Sequence, residues 1–168
     1  ECMVLEKSMA SLSPAQRDRL RGEHMGVIFQ QFNLLPYLGI QANLLLPVRM
    51  FASRAQASAQ QWGDPVSQAR ALSQSLGLPD SHWNQPVHQL SVGQQQRVAA
   101  ARALMGAPRL VIADEPTSAL DETHQDEFLN LLLSTADRQK ASVVMVSHNP
   151  RLAERFHQVL SLSKGEVT

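Results

Sequence analysis

Apolar residues recur along the chain with two different periods. Residues 110–113 and 142–146 are short, continuous apolar runs, which are typical of strands buried in a parallel sheet. Between these runs, residues 123–138 carry apolar positions at helical spacing. Alternation of such strands with amphipathic helices predicts an α/β fold whose parallel sheet is covered by helices on both faces.

Helix starts are marked by local capping patterns. Ser13-Pro14-Ala15-Gln16 predicts a helix with Ser13 as N-cap and Gln16 completing a capping box, and this helix should end near Gly22. The other predicted elements are a weak strand over residues 1–7, a strand over 25–30, a loop or helical turns over 33–47, a helix over 92–105 closed by Gly106 and Pro108, and a helix beginning near Pro150.

The middle of the chain differs in composition from both ends. Residues 48–89 are rich in alanine, glutamine and serine and place Ala69, Leu72, Leu76 and Leu78 at helical spacing, which predicts a small helical subdomain. The interpretation is one partial domain over residues 1–168, with a core segment at 1–47, the helical subdomain at 48–89 and the rest of the core at 90–168.

Charge and cysteine content exclude several classes of function. Fifteen basic residues balance fifteen acidic ones without a basic stripe, so no nucleic-acid partner is expected. Cys2 is the only cysteine, which argues against disulfides and thiolate metal sites and favours a reducing, cytoplasmic compartment. Because the longest apolar runs are only a few residues, direct membrane insertion is not expected.

Two carboxylates follow the strand predicted at residues 110–113. Asp114 and Glu115 stand at its carboxyl end, where open α/β sheets place their ligand crevice. In phosphoryl transfer an aspartate there holds Mg²⁺, and a neighbouring carboxylate orients and deprotonates the attacking water. The alternative is that Asp-Glu-Pro merely ends a strand and begins a turn.

The segment Leu90-Ser91-Val92-Gly93-Gln94-Gln95-Gln96-Arg97 opens the helix that precedes this strand. A helix N-terminus with small residues presents free N–H groups and a partial positive charge to a phosphate. Ser91 and Gln94 also fit an ordinary capping box, which is the alternative reading. The whole string, followed at this spacing by Asp-Glu-Pro-Thr-Ser-Ala-Leu-Asp, is hard to obtain by chance.

Together these motifs resemble the ATPase subunits of ATP-binding-cassette (ABC) transporters of the lipoprotein-release and macrolide-export group, across nearly the whole chain. The resemblance implies a P-loop NTPase-like α/β fold. It places the Mg²⁺- and water-sensing glutamine at Gln30 and the signature motif at Ser91, Gly93 and Gln94. The Walker B aspartate would be Asp114, which binds Mg²⁺, and the catalytic residues would be Glu115 and the switch histidine His148. The D-loop of the dimer interface would be formed by Ser118, Ala119, Leu120 and Asp121.

The resemblance further implies ATP and Mg²⁺ as cofactors, a permease partner in the membrane, and a dimer in which each signature faces the other subunit's ATP. The subunit would lie at the cytoplasmic face of the membrane and couple hydrolysis to export or extraction of a hydrophobic substrate. The 168 residues contain no phosphate loop of the form GxxxxGK[ST] and none of the strands expected before it, and Val92 stands where the family usually has glycine. We therefore expect weak ATP binding and no hydrolysis by the chain alone.

Two further interpretations stay open. The chain could be a non-enzymatic module that pairs with an intact ATPase subunit and lends its Ser91 signature to that partner's ATP. An ABC ATPase of the DNA-repair or chromosome type is less favoured, because the sequence has no coiled-coil flanks and its Gln30 region is of the permease-associated type.

Overall fold

The computed structural model describes residues 2–163 and 166–167. The chain opens with a small hairpin of β1 (Met3–Val4) and β2 (Lys7–Ser8). The single strand expected over residues 1–7 is therefore wrong, and residue 1 lies outside the described residues. Leu5 and Glu6 both adopt positive φ, 49° and 64°, and two such residues in succession reverse the chain as in a two-residue hairpin turn.

Helix α1 (Pro14–His24) begins as the sequence predicts. Ser13 Oγ accepts a hydrogen bond from Gln16 N at 3.3 Å, and Gln16 Oε1 accepts from Ser13 N at 2.9 Å. The helix continues past Gly22, however. A Cβ on Gly22 would lie 2.0 Å from Phe51 Cζ, so this glycine serves close packing rather than helix termination.

Six further α-helices follow among the described residues. They are α2 (Ile40–Leu44), α3 (Leu46–Met50), α4 (Ala52–Trp62), α5 (Pro65–Ser75), α6 (Val92–Leu104) and α7 (Glu122–Arg138), with short 3-10 helices at Asp80–His82, Val87–Gln89 and Pro150–Arg155. The segment 33–47 thus contains helical turns, and the helix expected from Pro150 is a six-residue 3-10 helix. All four apolar positions singled out in the helical middle of the chain are buried.

A three-stranded parallel sheet carries the rest of the fold. Its strands are β3 (Met25–Ile28), β4 (Leu110–Asp114) and β5 (Ser142–Val146), with β4 in the centre. A final antiparallel pair, β6 (Leu162–Ser163) and β7 (Glu166–Val167), follows. Parallel pairing brings the carboxyl ends of the three strands to one edge of the sheet.

The two faces of this sheet differ in burial. Val111 and Ala113 on β4 are fully buried, whereas Val144 and Val146 on β5 are 52% and 50% exposed. Successive residues of a strand point to opposite faces, so one face is packed and the other is open along β5. Coverage of both faces, as predicted, is therefore wrong at β5 within the described residues.

Arg54 of α4 ties the helical middle of the chain to the sheet. Its buried guanidinium donates hydrogen bonds to the carbonyls of Gly22 (2.7 Å), Met105 (2.8 Å) and Met25. These carbonyls belong to the C-terminal ends of α1 and α6, where unpaired carbonyls accumulate and a cation is favoured. Burial lowers the pKa of Arg54 to about 10, so it stays charged at neutral pH.

Candidate functional site

The carboxyl edge of the sheet collects the residues that the motifs single out. Gln30 follows β3, Glu115 follows Asp114 at the end of β4, and His148 follows β5. In the register of the sheet, Asp114 lies beside Val146. This is the edge at which open α/β sheets bind ligands.

Glu115 and His148 form the best-defined contact at this edge. Glu115 Oε1 accepts a hydrogen bond from His148 N at 2.9 Å and lies 2.9 Å from His148 Nδ1. Because a carboxylate can only accept, Nδ1 must carry the proton. No hydrogen bond of the described residues reaches Glu115 Oε2 or His148 Nε2. The histidine side chain is 80% exposed and the glutamate side chain only 20%.

The backbone of Glu115 is held in an unusual conformation. Its φ is +44°, a region that costs a residue other than glycine about 1–3 kcal/mol. Its N–H donates to Val146 O at 3.0 Å, and its carbonyl accepts from Ser118 N at 3.3 Å and from Ser118 Oγ at 3.1 Å. The turn after β4 is therefore fixed against β5, and it aims the carboxylate at His148.

Asp114 and Gln30 contribute a carboxylate and an amide to the same edge of the sheet. Both residues are exposed, and no hydrogen bond or ion pair of the described residues involves either side chain. Carboxylate and amide oxygens suit Mg²⁺, which is usually bound by one or two carboxylates together with phosphates and water. No group of three His, Cys, Asp or Glu side chains in the described ranges could hold a metal unaided. The donor set therefore fits Mg²⁺ that arrives with a phosphate ligand.

The signature segment begins α6 as a capped helix. Ser91 Oγ accepts from Gln94 N at 3.2 Å, and Gln94 Oε1 accepts from Ser91 N at 3.0 Å, so the predicted capping box is confirmed. Val92 is 51% exposed. A Cβ on Gly93 would lie 3.8 Å from Leu120 Cδ2, which places the start of α6 against the D-loop of the same chain.

The signature and the Glu115–His148 pair are not joined directly. Among the described residues, no hydrogen bond or ion pair connects Ser91 with Glu115 or His148. One link runs through buried Gln96 of α6, whose Nε2 donates to the carbonyl of Pro116. Ser91 and Val92 at the start of the helix are exposed.

The D-loop leads into α7. Ser118 and Ala119 are exposed and Leu120 is half-buried. Asp121 caps the helix by accepting from His124 N at 3.0 Å, and it also contacts His124 Nδ1. These hydrogen bonds, first that of the His124 backbone and then that of its ring, hold the pKa of Asp121 below its usual value. Asp121 therefore has a structural role, whether or not the segment also lies at an interface.

The loop after Gln30 is held by Arg102 and Asn43, two residues for which the sequence predicts no such role. Phe32 and Asn33 adopt positive φ, 61° and 48°, and Arg102 of α6 donates to both of their carbonyls at 2.7 Å. Burial lowers the pKa of Arg102. Asn43, fully buried, accepts from Leu35 N at 2.9 Å and donates to three carbonyls of the same loop. For Asn43, the only signal in the sequence is that a polar side chain stands within an apolar helical pattern.

No helix among the residues that the structure describes has the length and apolar content needed to cross a bilayer.

Comparison with known proteins identifies the family. The sequence profile of ABC transporters matches residues 4–118. The chain is 37% identical over 161 residues to the macrolide export ATP-binding/permease protein MacB of Escherichia coli, covering 96% of this chain and 24% of that protein. It is 33% identical over 162 residues to the lipoprotein-releasing system ATP-binding protein LolD of Hydrogenovibrio crunogenus, covering 96% of this chain and 67% of that protein. The chain thus spans about a quarter of the length of its MacB relatives.

A solved structure shows the same fold. The dimeric ATP-binding cassette MJ0796, in a post-hydrolysis state bound to ADP and Pi, superimposes with a TM-score of 0.81 at 31% identity, covering 98% of this chain and 69% of that one. The predicted α/β fold of the ABC ATPase type is confirmed by this match. Since the family profile covers more than half of the chain and the relatives match almost all of it, the chain belongs to the ABC transporter family.

Proposed function

We propose that this chain is part of the ATP-binding and ATP-hydrolysing unit of an ABC transporter. The observation that carries the proposal is the contact of Glu115 with His148 at the carboxyl edge of a parallel sheet. Asp114 adds to this edge a carboxylate that has no hydrogen-bond partner among the described residues. Family membership supports it, because ABC ATPases as a group use ATP and Mg²⁺.

Each side chain at the edge has a proposed role in hydrolysis. Bound Mg²⁺ would neutralise charge on the phosphates, with Asp114 and Gln30 as its protein ligands. Glu115 would orient the attacking water and take its proton. His148, with its Nδ1 proton directed at Glu115 and Nε2 free of described partners, would contact the γ-phosphate when protonated.

The remaining motifs are proposed to act across a dimer, as the dimeric structural relative suggests. Ser91, Gly93 and Gln94 would face the other subunit's ATP, with the N–H groups of α6 directed at its terminal phosphate. The D-loop, Ser118, Ala119, Leu120 and Asp121, would lie in the interface. Residues 1–47 and 90–168 would form the nucleotide-binding core, and residues 48–89 the helical subdomain.

The partner and substrate are proposed from the relatives. One relative is described as a macrolide export ATP-binding/permease protein and another belongs to a lipoprotein-releasing system. Both descriptions fit coupling of ATP hydrolysis to export or extraction of a hydrophobic substrate through a permease. The chain would then work at the cytoplasmic face of the inner membrane as a peripheral subunit, without nucleic acid.

A second function is favoured by the surface at the start of α6. The capped N-terminus at Ser91 is exposed. In this second function the chain would serve as a module whose exposed α6 N-terminus completes the ATP site of an intact subunit.

Calorimetric titration of the chain with Mg-ATP is the first test. Saturable micromolar binding, with hydrolysis lost in Glu115→Gln, would support an ATPase in its own right. Absence of binding would refute that reading and leave the module.

Mixing the chain with an intact LolD-type ATP-binding subunit then tests the module. We expect the chain to change that subunit's turnover and Ser91→Arg to abolish the change. Ser13→Arg is the matched control, because Ser13 also caps a helix with a glutamine three residues later. Turnover that ignores the added chain would refute the module.

A further inference from the structure

Gln125 in the first turns of α7 bonds two loops of the candidate site. Its Nε2 donates to the carbonyl of Leu120 at 2.8 Å, and its Oε1 accepts from Asn149 Nδ2 at 3.4 Å. Leu120 belongs to the D-loop, and Asn149 directly follows His148. One half-buried glutamine therefore spans from the D-loop to the loop that carries the switch histidine.

The orientation of both amides is set by their other partners. Asn149 Oδ1 accepts from Arg151 N at 3.1 Å, which leaves its Nδ2 as the group that faces Gln125. A carbonyl oxygen can only accept, so Leu120 requires Gln125 Nε2 and leaves Oε1 for Asn149. Donors and acceptors therefore match along the whole bridge.

The bridge closes a ring of contacts around Glu115. On one side, Ser118 donates to the Glu115 carbonyl, and the chain continues through Leu120 to Gln125. On the other side, His148 donates to the Glu115 carboxylate, and Asn149 returns to Gln125. A displacement of the D-loop must then either break the Gln125 bridge or move the loop of His148.

The surroundings allow the bridge to open. Gln125 and Asn149 line a polar cleft of about 260 Å³ together with Glu122 and Arg151. Water in such a cleft can replace either hydrogen bond when the loops separate. This differs from buried Asn43, whose bonds are closed off from solvent.

We propose that Gln125 and Asn149 are positioning residues that couple the D-loop to His148. While the D-loop keeps its present position, the bridge holds His148 against Glu115. When the D-loop shifts, as docking of a second subunit would cause, the bridge transmits that shift to the histidine. The functional meaning of this coupling rests on the roles proposed for Glu115 and His148. The bridge itself is testable without nucleotide.

Hydrogen exchange of the His148 backbone amide, measured by NMR on the nucleotide-free chain, is the test. This N–H donates to Glu115 Oε1, so its exchange rate reports how often the contact opens. Gln125→Ala removes both hydrogen bonds of the bridge. It should accelerate exchange of this amide roughly threefold to tenfold, since of the two only the bond to Asn149 reaches the loop of His148. The amides of Phe128 and Leu129, in the buried part of α7, should keep their rates.

Gln139→Ala is the matched control. Gln139 lies at the C-terminal end of α7, and neither its side-chain nitrogen nor its oxygen has a hydrogen-bond partner in the part of the chain that the structure describes. This variant should leave His148 exchange unchanged. Asn149→Ser should reproduce the acceleration from outside the helix, because serine still provides an oxygen for Arg151 N but no amide for Gln125. The double variant should exchange no faster than the faster single variant, because both remove the same bridge.

An unchanged His148 rate in Gln125→Ala and Asn149→Ser would overturn the proposal, as would additive accelerations in the double variant. If Gln125→Ala also loosens Phe128 and Leu129, Asn149→Ser decides, since it leaves α7 intact and keeps an oxygen for Arg151 N. Because no ATP is present, a failure of ATP binding has no effect on either result.

Discussion

Replacement of Arg54 by methionine should strongly destabilise the fold. The arginine is 2% exposed and donates to three carbonyls at the C-terminal ends of α1 and α6. Methionine fills much of the same volume but donates nothing. The change therefore leaves three carbonyls, two of them in fully buried hydrogen bonds, without their partner while keeping most of the apolar contact.

The magnitude follows from two opposing contributions. Hydrogen bonds from a charged group contribute about 1.5–3 kcal/mol each, so three contribute roughly 5–9 kcal/mol. Burial lowers the pKa of Arg54 to about 10, which corresponds to a cost of roughly 3 kcal/mol for keeping the charge in place. Removal of the arginine recovers that cost. The net loss should be about 2–6 kcal/mol, a large part of the stability of a domain of this size.

Urea unfolding at neutral pH, followed by far-ultraviolet circular dichroism, measures this loss. The midpoint should fall while the denaturant slope stays constant, which would indicate that the unfolded reference has not changed. Arg49→Met is the matched control. Arg49 lies on neighbouring α3, is exposed, and forms no hydrogen bond or ion pair among the described side chains, so its replacement should change stability by no more than about 0.5 kcal/mol.

If Arg54→Met were as stable as the wild type or more stable, the cost of burying the charge would exceed the gain from its hydrogen bonds, as happens for some buried ion pairs. Arg54 would then not be the residue that fastens α4 to the sheet.

Two further predictions concern helix caps. Ser91→Ala should lower the free energy of unfolding, measured in urea, by about 1 kcal/mol. Ser13→Ala should lower it by a similar amount, because both serines complete a capping box. An unchanged unfolding midpoint in either variant would contradict the assigned cap. Hydrogen bonds from His124 hold the pKa of Asp121 below its usual value, so the carboxylate stabilises the fold above about pH 4 and loses this effect as the pH falls through the lowered pKa. The melting temperature of Asp121→Asn should lie below that of the wild type at neutral pH, and the gap should close in acid; a gap that is constant with pH would exclude the linkage.

Much of the site was predictable because its motifs are local. Asp114 and Glu115 end an apolar run, and their place at the edge of the sheet follows from the strand alone. His148 likewise follows an apolar run. The direct contact of Glu115 with His148 is different, because it joins residues 33 apart in sequence and depends on the parallel pairing of β4 and β5.

The supporting residues were beyond sequence reasoning. Arg102 and Gln125 lie on helices whose patterns mark them only as polar, yet each bonds carbonyls of a loop. Gly26 shows the same limit. It reads as an ordinary residue of a short strand, but a Cβ there would lie 2.1 Å from the carbonyl oxygen of Ala103. Such roles arise only where distant segments meet.

Interactions within three or four residues, and the order of the motifs, follow from the sequence alone. The capping boxes at Ser13 and Ser91 form as predicted because cap and partner are held together by the helix turn itself. Tertiary structure alone decided the continuation of α1 past Gly22, the reach of Arg54 to three carbonyls and the open face along β5. The physical reason is that these features depend on which distant atoms are brought into contact, and a local pattern specifies only the faces that are available for that contact.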